Sequence, residues 1–280
     1  AMNDRPTRTA VLFPGQGSHT DEMGAMVAAA APALHARCLE LVGADAFARA
    51  AEDTRFAQPA IFCASLAGAA HEQVEGDAVY AGHSLGELSA LTAAGVFTPD
   101  DGLRLVVERG RLMAEAAAAQ GDGTMIALLK GTPEQAATVA DEHGVVVAND
   151  NAPGQLVLSG SRPALEAAAH TAKAMGVRVM RLDVAGAFHS PAMASAAAAF
   201  AAALEDVELH EPRVPVFSCA SAAPFADVRA ELAAALTAPV RWRQTLLALQ
   251  DAGVREFVDA GPAQILAGTV KRTIVAAVPA

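Results

Sequence analysis

The first apolar block, TAVLFPG (residues 9–15), is aliphatic and β-branched and stops at Pro-Gly, which predicts a buried strand entering a turn. Alanine-rich helical segments follow to about residue 70. At 79–95 the pattern VYAGHSLGELSALTAAG predicts a strand, a tight turn and a helix, with Leu85, Leu88, Leu91 and Thr92 on one face and Gly95 at its end. Another helix is predicted from Pro99-Asp100-Asp101. Thr98 is placed to cap it, and Leu103, Val106, Val107, Gly110 and Met113 fall on a helical stripe.

From Gly121 the pattern shortens. TMIALLKG reads as a strand, PEQAATVADEHG as a helix, and VVVANDNAPGQLVLSG as two strands about an Asn-Pro-Gly turn. RPALEAAAHTAKAMG then reads as a helix and VRVMRLDV as a strand. This β-α-β-β-α-β order is the split pattern of ferredoxin-like units. Beyond it come an alanine-rich helix (191–205), a VPVFS strand (214–218), a helix pair and a last strand-turn, EFVDAGP (256–262).

Composition narrows the class. Hydrophobic residues are 53% and charged residues 18% of 280, which excludes a disordered chain. The longest apolar runs are too short or too interrupted to span a bilayer. No cleavable leader is read at the start, Ala1-Met2 reads as a cloning remnant, and a cytoplasmic protein with no membrane role is expected. A net charge of −11 opposes nucleic-acid binding, because phosphates would be repelled. Cys38, Cys63 and Cys219 are widely spaced and flank no ligand motif, so reduced, partly buried thiols are expected, with neither a metal nor a disulfide framework.

Gly82-His83-Ser84-Leu85-Gly86 fits G-x-S-x-G, a bend that presents a serine hydroxyl between a strand and a helix. Its glycines are needed because the bend crowds neighbouring backbones and a side chain would clash; a tight turn with a capping serine is the plainer alternative. A nucleophilic serine needs a base and an oxyanion site. Of eight histidines, His189 in AGAFHSP sits in a loop between a strand and a Pro-started helix, where catalytic side chains are commonly held, although a packed loop histidine fits equally well. His83 is expected to point away from the serine. The backbone N–H of Leu85, at the positive end of a helix, is suited to an oxyanion. Arg109 lies beside its helix stripe, where an arginine is ordinarily solvated.

Seven motifs in one order carry a family resemblance: FPGQGSH (13–19), GHSLGE (82–87), RGRLM (109–113), NAPGQLVLSG (151–160), AFHSP (187–191), PVRW (239–242) and DAGP (259–262). On these the chain resembles the malonyl-CoA:acyl carrier protein transacylases and the acyltransferase domains of fatty-acid and polyketide synthases. The resemblance implies a hydrolase-like α/β body at 1–122 and 188–280, with a ferredoxin-like α+β insert at 123–187. It also implies ping-pong transfer: Ser84 takes an acyl group from an acyl-CoA thioester, His189 moves the proton, and the phosphopantetheine thiol of a carrier protein receives the acyl group. It assigns the second oxyanion donor to Gln16, in a PGQG that otherwise reads as a simple turn, and it assigns Arg109 to the free carboxylate of malonyl. Acyl carrier protein and malonyl-CoA are the implied partners of a monomer, with no cofactor and no metal.

Two positions depart from the family. Where malonyl-selective domains read His-Ala-Phe-His, this chain reads Gly186-Ala187-Phe188-His189, which leaves open a tolerance for branched acyl groups. Ala235 replaces a glutamine whose carbonyl orients the histidine; a carbonyl survives the change. The alternatives are a discrete polyketide acyltransferase of broader extender tolerance, a thioester hydrolase, and a silent carrier-docking module. Arg241, Arg243, Lys271 and Arg272 are the basic residues expected to meet an acidic carrier.

Overall fold

A computed structural model describes residues 8–72, 74 and 76–274; the Ala1-Met2 start lies outside them. The elements run β1 (Arg8–Phe13), α1 (Met23–Ala30), α2 (Pro32–Val42), α3 (Thr54–Glu72), β2 (Ala78–Gly82), α4 (Gly86–Ala93) and α5 (Pro99–Gln120). Next come β3 (Gly123–Leu129), α6 (Pro133–His143), β4 (Val146–Ala152), β5 (Gln155–Ser161), α7 (Arg162–Ala174) and β6 (Arg178–Arg181). A short 3-10 turn (Pro191–Met193) leads into α8 (Ala194–Glu205), β7 (Val216–Ser218), β8 (Ala223–Pro224), α9 (Val228–Ala235), α10 (Trp242–Asp251), β9 (Val254–Asp259) and α11 (Ile265–Ile274).

The strands form two sheets, ordered β8-β7-β2-β1-β9 and β4-β5-β3-β6. In the first, β1 and β2 are parallel, and β9 and β7 flank them in the same direction. Alternation along β1 explains its two-sided burial: Val11 and Phe13 enter the larger core with α3, α4 and α5, while Ala10 and Leu12 enter a second core with Trp242, Leu246 and Leu249. Parallel strands need cover on both faces, and this one has it.

The second sheet is antiparallel throughout, and its strand order is that of the split β-α-β-β-α-β unit expected from the sequence. Along β3, Ile126 and Leu128 pack under α6 and α7, whereas Met125 and Ala127 belong to the core of the larger body. The small sheet thereby turns one face to its own helices and the other to the large sheet's layer. Side chains also tie β4 to α10: Arg243 makes a bidentate pair with Asp150, Nη2 to Oδ2 at 2.6 Å, and Gln244 Nε2 donates to the same oxygen at 2.8 Å. The backbones of Asn149 and Val240 bridge beside them.

Several expectations change on folding. The helix after the serine is buried on every side from Gly86 to Thr92, so Leu85, Leu88 and Leu91 mark no single inward face. A helix wrapped between a sheet and two other helices has no solvent side to keep polar. The three cysteines are free, as expected, and fully rather than partly buried. Thr98 does cap α5, accepting from the Asp101 N–H at 3.1 Å. Glycines on α5 set helix spacing: a Cβ at Gly102 would collide with Thr92 Oγ1, and one at Gly110 would press on the α3 backbone at Thr54 and Arg55.

Candidate active site

The C-terminal ends of β1 and β2 lie side by side, with Phe13 in register with Gly82. Loops leaving parallel strands at that edge are where α/β proteins build their sites, and here they carry Gln16 and Ser84. The bend at 82–86 is sterically exact: a Cβ on Gly82 would run into the Gly86 carbonyl, and one on Gly86 into the carbonyl of Phe13. His83 N–H donates to Phe13 O at 2.8 Å and Gly86 N–H to His83 O at 3.0 Å, which locks the bend to β1. Ser84 itself is left-handed, φ 55°, and His189 is too, φ 53°. Two non-glycine residues held in this costly region mark a place where the surroundings impose the conformation.

The two residues meet. Ser84 Oγ lies 2.8 Å from His189 Nε2. His189 Nδ1 faces two backbone carbonyls, Ala235 O at 2.9 Å and Ala238 O at 3.1 Å, so its proton sits on Nδ1 and Nε2 is left to accept. The expected Ala235 carbonyl is therefore in place, and Ala238 supplies a second that the sequence had not revealed. Burial, and next the charge of Arg109, lower the imidazole to about 4 and keep it neutral near pH 7, ready to accept a proton.

Arg109 is not solvated. It is 4% exposed, on the inner side of α5. Its Nη2 donates to Ser84 Oγ at 3.1 Å and its Nη1 to Gln58 Oε1 at 2.7 Å. Gln58, on α3 and 1% exposed, is oriented by donating Nε2 to Thr54 Oγ1 at 2.8 Å. Burial lowers the guanidinium to about 10, leaving it charged, yet no carboxylate lies within ion-pair distance of it among the described residues. Glu87 acts on it only through space, and a buried cation without a directly paired carboxylate is costly, so this arrangement fits an anionic ligand that completes the pair.

Glu87 stands one helical turn past the serine and is 1% exposed. Its Oε1 accepts from the Cys219 N–H at 2.8 Å, and burial raises the carboxyl to about 7. His83 turns from the serine, its Nε2 pairing with Asn151 Oδ1 at 2.7 Å and its ring meeting Trp242 edge-on, while it still borders the cleft. The backbone N–H groups of Leu85 and Gln16 find no acceptor among the described residues.

The cleft of about 450 Å³ takes in Gln16, Gln58, Ser84, Arg109 and His189 from five separate segments. Phe188 lines it, while Gly186 and Ala187 lie behind. The space a Gly186 Cβ would fill is occupied by the Phe188 ring, 2.7 Å away, and by Ala117 Cβ at 2.9 Å. Gln58 and Glu87 are the residues sequence reasoning passed over; a glutamine inside the apolar run FAQPAIF, and the glutamate ending GHSLGE, were the available signals. Of the basic residues expected to meet a carrier, Arg243 is held by Asp150, Arg272 Nη1 donates to Gln155 Oε1 at 3.0 Å, and Arg241 Nη1 donates to Ser221 O at 3.2 Å. Arg243 is thus tied into the fold, whereas Arg241, Lys271 and Arg272 remain exposed.

Comparison with known proteins identifies the family of the chain. A malonyl CoA-acyl carrier protein transacylase of Synechocystis is 36% identical over 280 residues, spanning 95% of this chain and 94% of that protein. The crystal structure of MCAT from Mycobacterium tuberculosis superposes with a TM-score of 0.86 at 35% identity, covering 95% of this chain and 93% of the other. A type II PKS acyl-carrier protein in complex with its malonyl-transacylase, PlMCAT:AntF, matches at a TM-score of 0.88 and 32% identity, covering 96% and 94%. Residues 11–279 match the family described as Acyl transferase domain, and the chain belongs to that acyltransferase family.

Proposed function

We propose that the chain moves a malonyl group from malonyl-CoA, through an ester on Ser84, to the phosphopantetheine thiol of an acyl carrier protein, in fatty-acid or polyketide synthesis. The Ser84 hydroxyl attacks the thioester carbonyl as His189 Nε2 takes its proton. The Leu85 and Gln16 N–H groups receive the oxyanion, the C–S bond breaks, and His189 returns the proton to the coenzyme A sulfur. The carrier thiol reverses these steps, giving its proton to His189 and receiving the acyl group as Ser84 is freed. Every reacting group comes from side chain or backbone.

The Arg109 guanidinium, buried 3.1 Å from the serine oxygen with no carboxylate in ion-pair contact among the described residues, carries the choice of substrate. A dicarboxylic acyl group would bring the missing carboxylate to its fork; a monocarboxylic one would leave it unpaired. The Phe188 ring, seated where a side chain at position 186 would stand, fills the space that Gly186 relinquishes, and this supports malonyl over branched analogues.

Intact-mass analysis after treatment with malonyl-CoA tests the reading. One malonyl adduct should form on wild type and none on Ser84→Ala, and holo-carrier should discharge it as malonyl-carrier. Release of free malonate in place of malonyl-carrier would reject transfer.

A further inference from the structure

Strand β7 runs beside β2 only as far as Phe217, opposite Ala81, because β2 then turns into the bend that carries Ser84. Past that register Cys219 has no strand to pair with, yet it is 1% exposed, and a buried N–H needs an acceptor. Glu87, three residues beyond the serine on α4, supplies it: Oε1 accepts from the Cys219 N–H at 2.8 Å. The carbonyl of Cys219 accepts in turn from the Arg241 N–H at 2.7 Å. Arg241 closes the segment 235–241 that joins α9 to α10, and this segment carries both carbonyls on His189 Nδ1, Ala235 O at 2.9 Å and Ala238 O at 3.1 Å. A second anchor leads elsewhere: Val240 N–H donates to Ala148 O at 2.8 Å and Val240 O accepts from the Asp150 N–H at 2.9 Å, which ties the segment to β4. Among the described residues, no other hydrogen bond joins Cys219 or residues 235–241 to α4.

We infer that Glu87 is a positioning residue for acyl transfer, a role that rests on Ser84 and His189 being the reacting pair. Glu87 does not line the cleft, so it acts through Cys219. By holding that residue it sets where the α9–α10 connection places its carbonyls, and so where His189 Nε2 stands against the serine oxygen. The ring is held at Nδ1 alone, so a shift of the connection moves Nε2 out of its 2.8 Å contact. A misplacement of about 1 Å can cost about 100-fold in rate. A carboxyl that only satisfied the Cys219 N–H would change stability and leave the rate alone.

Glu87→Gln keeps the acceptor and Glu87→Ala removes it; both are assayed at a temperature where melts show the full chain folded. Glu87→Ala should lower kcat for malonyl transfer to holo-carrier roughly tenfold or more while KM for malonyl-CoA changes less than about twofold, and Glu87→Gln should keep kcat within about twofold of wild type. The His189 Nδ1 proton, held by carbonyls, gives a downfield proton resonance that needs no acyl transfer. It should persist in wild type and Glu87→Gln and move upfield or vanish in Glu87→Ala. Should Glu87→Ala not fold, Glu87→Asp, which draws the oxygen back by one methylene, is judged by the same two readouts. An unchanged kcat and resonance in the folded variant, or a loss in Glu87→Gln as large as in Glu87→Ala, would overturn the inference. A resonance that moves as expected in a protein that forms no serine adduct would reject the transfer reading and leave the placement of His189 by Glu87 standing.

Discussion

Arg109 and His189 converge on one atom: the guanidinium Nη2 lies 3.1 Å and the imidazole Nε2 2.8 Å from the Ser84 oxygen. The cation proposed to hold a substrate carboxylate also adds, after burial, to the depression of the imidazole proposed to take the serine proton. Pairing Arg109 with an anion would relieve its share of that depression, the larger share from burial remaining, so a dicarboxylic substrate would make its base stronger than a monocarboxylic one would.

Arg109→Ala should lower kcat/KM for malonyl-CoA about 100-fold, on the scale of about 3 kcal/mol for a broken buried ion pair, and raise loading by acetyl-CoA. With the neighbouring charge gone, the acidic limb of the kcat/KM profile should move up from about 4 while staying below the ordinary histidine value, because burial, the larger cause, remains. Equal losses for both donors, seen by intact mass and steady-state rates, would remove Arg109 from substrate recognition.

Gln58→Glu puts a carboxylate where the Oε1 that holds Arg109 Nη1 now stands. The internal anion should displace the substrate's, raising KM for malonyl-CoA at least tenfold while acetyl-CoA loads as well as or better than on wild type. A donor panel on the purified variant reads this directly; unchanged malonyl KM would mean that Gln58 does not govern the guanidinium.

Glu87 gives a stability signature with a definite sign. Its folded value of about 7 exceeds the ordinary 4.5, so the folded state favours the neutral acid. The resulting stability is fully present below pH 4.5 and is lost as pH rises through 7, by about 3 kcal/mol in all. Glu87→Gln keeps an acceptor for the Cys219 N–H and removes the titration. Its Tm relative to wild type should therefore climb between pH 5 and pH 8; a flat difference across that range would contradict the assignment.

At Gly186 a methyl group would meet the Phe188 ring at 2.7 Å and drive it toward the cleft. Gly186→Ala should lower loading by methylmalonyl-CoA more than by malonyl-CoA, several-fold in their ratio, and lower Tm by a few degrees through overpacking against Phe188 and Ala117. Competition between the two donors, read by mass, provides the check.

Gly82→Ala tests the bend. Its Cβ would collide with the Gly86 carbonyl, which cannot yield without moving α4 off β1. A loss of more than about 3 kcal/mol, or failure to fold, is expected in thermal melts. A normally stable, active variant would show that the turn is not fixed by sterics.

Much of this was legible along the chain. The glycines around Ser84 announced the bend because a crowded turn excludes side chains, and the strand-helix order of residues 123–181 announced the second sheet because periodicity is local. His189 was singled out by its loop between strand and helix. Arg109 was misjudged by its own helix: beside an apolar stripe it looks solvated, and only the packing of α3 across α5 puts Gln58 over it and seals it from water. Glu87 was invisible for the same reason, since its burial depends on β7 and Cys219, more than a hundred residues away.

The sequence by itself determined the elements, the bend and the residue types able to act as nucleophile, base and anion receptor, because these follow from short-range sterics and hydrogen-bonding chemistry. Tertiary structure alone decided which cations are buried and which are ties, which carbonyls hold the imidazole, and what fills the space beside Gly186. Those depend on water being excluded by segments distant in the chain, and the cost of an unpaired charge or a lost contact is set by that exclusion.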